Sequence, residues 1–120
     1  MTITVCDDLE WAAQLRAEWS DLAQHAPEAT PFQTWEWQST WWRYYGRGKR
    51  PHIALVHDDG RLVGLMPMVR CSGPWRALRA MGGGPSDYLH PLALPNHEPE
   101  VARALLDHLD RVEGVDLVDL

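Results

Sequence analysis

The hydrophobic pattern is densest between Phe32 and Gly46, where seven of fifteen residues are aromatic and four of the chain's seven tryptophans fall. Wound as a helix at 100° per residue, Trp37, Trp41, Tyr44 and Tyr45 share about 100° of arc, and Trp35 and Trp42 widen it to roughly half the cylinder. Glu36, Ser39, Thr40 and Arg43 take the opposite side, and only Gln38 interrupts the aromatic half. Thr34 is placed to cap the start and Gly46 to follow the end. A buried aromatic removes about 150–250 Å² from water, so the aromatic half is expected to pack against the strands formed by residues 52–81.

Around that helix the periodicity changes in a definite order. Thr2 to Cys6 alternates Ile3 and Val5 with small or polar residues, as a strand does. Asp7 and Asp8 then cap a helix over 8–25, with Glu10 three residues after Asp7 as in a capping box. Trp11, Leu15, Trp19, Leu22 and Ala26 form its single apolar stripe, within about 80° of arc. His52 to His57 and Arg61 to Arg70 read as strands joined by Asp58-Asp59-Gly60, where Gly accepts the positive φ of a tight hairpin. Pro67 cannot donate to a ladder and marks a bulge or a locally unpaired edge. Gly64 marks a close backbone approach. Trp75 to Met81 is a third strand, Leu89 to Leu94 a short apolar segment, and Val101, Leu105, Leu109 and Val112 share one face of a helix that Gly114 ends. Val115 to Leu120 is a final strand. The order β-α-α-β-β-β-(β)-α-β predicts an α+β (mixed α/β) domain, an antiparallel meander flanked by helices.

Composition narrows the class. One hundred and twenty residues make one domain, 1–120, with room for a single core. A net charge of -6 argues against general nucleic-acid binding. No basic region followed by an apolar core opens the chain, and no apolar run approaches the roughly 20 residues of a membrane helix. Cys6 and Cys71 form neither a metal-type pair nor a disulfide framework, and the six histidines lack metal-type spacing, so no metal is expected. A reduced, cytoplasmic protein is the default.

The order of elements, with Asp59-Gly60-Arg61-Leu62-Val63-Gly64, resembles the GNAT superfamily of N-acyltransferases. Phe32 to Trp37 (Phe-x-x-Trp-x-Trp) and Ser86-Asp87-Tyr88 are similar to phrases of its CelD-like, cellulose-biosynthesis-type group. That group is usually longer, with a second GNAT-like half, and this chain resembles the first half. The resemblance implies transfer of an acyl group from acetyl-CoA or another acyl-CoA to an amine. It also implies a partner, a second lobe or a second copy in a homodimer, met through the C-terminal edge strand, because exposed edges find partners.

The superfamily holds the donor's pyrophosphate on backbone amides of an Arg/Gln-x-x-Gly-x-Gly/Ala loop at a helix N-terminus, and Arg79, Gly82, Gly83 and Gly84 satisfy that pattern. Glycines let amides approach a phosphate, and the helix dipole adds positive potential. The same residues would equally make a plain tight turn. Asp87, Tyr88 and His90 follow. Asp87 or His90 would relieve the attacking amine of its proton, and the Tyr88 hydroxyl would protonate the departing thiolate. Alternatively, Asp87 caps local amides and Tyr88 packs at the sheet edge. Arg43, Arg47, Lys49 and Arg50, beside Tyr44 and Tyr45, could contact phosphates, or form a solvated charge run favoured by a helix C-terminus.

Two alternatives to catalysis by this chain stand beside that reading. One is a non-catalytic GNAT-like half serving as a partner-binding or scaffold domain. The other is Fem-type aminoacyl transfer, which the basic cluster suits and the charge of -6 opposes.

Overall fold

The computed structural model describes residues 1–8, 10, 13–27, 29–82 and 91–119. Strand β1 (Thr2–Cys6) leads through a 3₁₀ turn (Ala13–Leu15) into α1 (Arg16–His25). A second 3₁₀ turn (Pro31–Gln33) precedes α2 (Trp35–Tyr45). Then come β2 (Arg50–Asp58), β3 (Arg61–Cys71), β4 (Ala77–Ala80), β5 (Leu92–Ala93), α3 (Glu98–Arg111) and β6 (Leu117–Asp119). This is the α+β order that the periodicity predicts. The sheet runs β1-β2-β3-β4-β6, with β5 also on β3; all pairings are antiparallel except β4 with β6.

The β2–β3 hairpin is the spine. Its turn puts Asp59 at φ 51° and Gly60 at φ 78°, the two positive angles a type I′ turn requires. Pro51 to Val56 and Leu62 to Val69 are buried without alternation, so both faces of these strands are covered. Helix α3 covers one face, with Val101 set directly against the backbone of Gly64; a Cβ there would lie 2.5 Å from Val101 Cγ1. Helix α1 covers the other, and α2 docks on α1. Trp19 is wholly buried, meets Trp35 edge-to-face at 5.3 Å, and donates its indole N–H to the Gln33 carbonyl at 2.9 Å.

Helix α2 differs from its helical-wheel reading. Its buried residues are Trp35, Gln38 and Trp41, while Tyr44 and Tyr45 are 72% and 54% exposed. The buried face is turned by roughly 70° toward Gln38 at 100° per residue. The cause is the partner: α2 docks on α1 through Trp35, which pulls the seam to the i, i+3, i+6 line through Gln38. Thr34 does cap the helix, accepting from the Trp37 amide at 3.2 Å. Gly46 ends it at φ -81°, an ordinary right-handed angle, and glycine is needed there because a Cβ would meet the Trp42 ring at 2.5 Å. At the other end of the chain's helical region, Asp8 rather than Asp7 bonds the Glu10 amide, at 2.9 Å. Among the described residues, no helix is long and apolar enough to cross a membrane.

Candidate functional site

Strands β4 and β5 lie on one line. Ala80 pairs with Met68, the Met81 amide donates to the Pro67 carbonyl at 3.0 Å, and the line resumes where Leu92 pairs with Leu65. The reciprocal bond from residue 67 is one that proline cannot donate. The chain therefore leaves the sheet where its partner strand has a missing donor. Gly82 makes that departure at φ 88°, an angle that favours glycine.

The predicted site residues fall around this departure. Arg79 is exposed on β4, between Val69 of β3 and Asp119 of β6. Gly82 is buried just after Met81. Gly83, Gly84, Asp87, Tyr88 and His90 lie outside the described residues. The first described helix after Gly82 is α3, which starts at Glu98.

The approach to α3 is short and acidic. Leu94 bonds back to Val63 at 2.9 Å, Asn96 takes φ 69°, and His97 is the residue before the helix. Glu98 and Glu100 occupy the first turn with Pro99 between them. Pro99 has no amide to offer, and the two carboxylates cancel the positive potential of the helix start. This turn suits a cation better than a pyrophosphate. His97 Nε2 already stands 3.8 Å from Asp58 Oδ2.

A second constellation gathers at the far end of α3. Arg70 Nε donates to His52 Nδ1 at 3.2 Å, and His52 Nε2 lies 2.9 Å from His108 Nε2, the two ring planes inclined by 28° with centroids 5.2 Å apart. The donor direction sets the tautomers: His52 Nδ1 must accept, so its Nε2 carries the proton and donates to His108 Nε2. Arg70 Nη1 also reaches the Glu113 carbonyl at 3.1 Å, just beyond the helix. His52 is pushed down from 6.5 to about 4, chiefly by burial, then by Arg70 and His108, with Asp7 opposing. His108 is lowered by burial and by Arg70. Both rings are neutral at pH 7. A metal is a poor fit here, because a ligating imidazole donates from its other nitrogen, and Arg70 donates into that of His52. Among the described residues no group of three potential metal ligands gathers.

Sequence reading did not find this trio. His52 and Arg70 sit at strand ends on positions that an unbulged hairpin would send to opposite faces, and His108 lies 56 residues from His52.

No protein-family model matches the chain, and no curated protein matches it. Among solved structures it is similar to a ribosomal-protein-alanine N-acetyltransferase from Brucella melitensis biovar Abortus 2308. The likeness spans 100% of this chain and 81% of that one, at TM-score 0.52 and 16% identity. The fold is GNAT-like. The helical crossover through α3 returns the chain in the same direction, so β6 lies parallel to β4.

Proposed function

We propose that the chain is a GNAT-type N-acyltransferase lobe of the CelD-like kind, serving transfer of an acyl group from acyl-CoA to a small-molecule amine. The observation that carries this reading is the GNAT-like fold, matched along the whole chain. The acyl thioester supplies the activated carbonyl. On the protein side, the amides at Gly82, Gly83 and Gly84, with Arg79, hold phosphate at the departure from the sheet. Asp87 or His90 takes the proton of the attacking amine, and the Tyr88 hydroxyl supplies one to the leaving thiolate. The edge of β6, with Leu117 and Val118 45% and 40% exposed, is the surface for a second lobe or second copy.

One observation favours a second reading, a non-catalytic GNAT-like half. The start of α3 is acidic and carries Pro99, which does not suit a donor's pyrophosphate. Calorimetry with acetyl-CoA on the 120-residue chain separates the two. Binding with Kd below about 1 mM, lost in Gly82→Val, supports the lobe as a donor site. No heat and no thermal shift at millimolar ligand overturns it in favour of the scaffold.

A further inference from the structure

Two adjoining concavities, about 510 and 220 Å³, flank the Arg70 side chain at the C-terminal end of α3, and Arg50 lines both. The larger also takes in His52 and His108; the smaller adds Gly48, Ser72 and Gly114, small residues that leave the guanidinium room. Arg76 borders the smaller one but is committed to Asp116 by two side-chain bonds, at 3.2 and 3.1 Å. Arg50 is exposed and has no ion pair among the described residues. Arg70 bonds a neutral ring nitrogen and a carbonyl, neither of which balances its charge.

We propose that this trough is a binding site for a phosphate-type dianion, held between Arg50 and Arg70 with the His52–His108 pair as its floor. Two guanidiniums and two imidazoles converge, and the facing carboxylates are few. Asp7 comes from the end of β1 and Glu113 from the segment after α3; Arg111 of α3 is engaged by Asp107 at 3.4 Å. Neither Arg50 nor Arg70 forms a carboxylate ion pair among the described residues, although Asp7 and Glu113 line the same trough. The imidazole chain gives the site a second property. As Arg70→His52→His108 is arranged, every facing lone pair is used, and an added proton would set two N–H groups against each other. A dianion resolves that conflict by accepting from the extra N–H, so binding takes up a proton. Arg70 sits three residues along β3 from Pro67, where Met81 makes its last bond to the strand, so Pro67 and Arg70 fall on opposite faces of it.

Sulfate tests this cleanly because it stays a dianion from pH 5.5 to 7.5. The histidine ring resonances of the intact chain are followed by NMR in sulfate and in chloride at matched ionic strength. Sulfate is expected to move both rings to higher titration midpoints and to bind more tightly as pH falls. Arg50→Gln, an exposed change that leaves the fold alone, should weaken binding about 10-fold, and His108→Gln should flatten its pH dependence. Inorganic phosphate and adenosine 3′,5′-bisphosphate then compete in parallel: tighter binding of the nucleotide assigns a nucleotide phosphate, and equal binding assigns free phosphate. Equal ring shifts in sulfate and chloride, or sulfate shifts unchanged in Arg50→Gln, overturn the proposal.

Discussion

Val101 rests on the backbone of Gly64, so close that any β-carbon at position 64 would lie 2.5 Å from its Cγ1. Val101 is 1% exposed and cannot turn away, and Gly64 belongs to the central strand. Gly64→Ala is therefore expected to force α3 off the sheet and cost about 1–3 kcal/mol by overpacking. Urea denaturation measures it, and the double change Gly64→Ala with Val101→Ala should restore part of the loss.

The His52 imidazole makes stability depend on pH with a definite sign. Its folded value, about 4, lies below 6.5, so the unfolded chain binds the proton first as pH falls. The stability this ring contributes is present above pH 6.5 and is lost between 6.5 and about 4, at up to about 1.4 kcal/mol per pH unit for one proton. Denaturation curves at stepped pH should show a smaller slope in His52→Gln than in the parent over this window. Equal slopes would assign the acid sensitivity to other groups.

Trp19 joins α1 to both the second 3₁₀ turn and α2, through its bond to Gln33 and its contact with Trp35. Trp19→Phe removes ring volume from a wholly buried position and takes away the indole N–H that donates to the Gln33 carbonyl. A loss of about 2–4 kcal/mol is expected, read from the thermal or urea midpoint.

In an assembly active in acyl transfer, Tyr88→Phe and Asp87→Ala should lower kcat by about 10²-fold or more, with His90→Gln compared beside Asp87→Ala to identify the base. Unchanged turnover in Asp87→Ala and Tyr88→Phe removes these roles.

If β6 is the meeting edge, light scattering across micromolar concentrations should give a dimer mass, and Val118→Lys should return it to that of one chain. A single-chain mass for the parent throughout would remove the second-copy interface.

Much of the fold was legible because local chemistry and global packing agree in it. The Asp59-Gly60 turn, the glycine at position 64 and the α3 face through Val101 and Leu105 each meet the environment their residue types require. The histidine trio was hidden by one residue. Counted from the turn without interruption, His52 and Arg70 fall on opposite faces of the hairpin. The irregularity at Val56/His57 shifts the register by one, pairs His52 with Met68, and brings Arg70 onto the same face. No residue type announces that bulge. The α2 face was misplaced for a related reason, since its seam is set by Trp19 on another helix. After the Arg79 to Gly84 glycine pattern, the first described helix is α3, which starts at Glu98 beyond β5.

The split line of β4 and β5 has a consequence for how this domain could change over generations. Met81 stands opposite Pro67 and Leu92 opposite Leu65, so the ladder between them calls for a single residue opposite Met66. The chain instead spends Gly82 to Pro91 there. Pro67 and Leu65 of one strand hold the two flanking pairs, so a change in the number of residues between Met81 and Leu92 leaves both pairs with the same partners on β3.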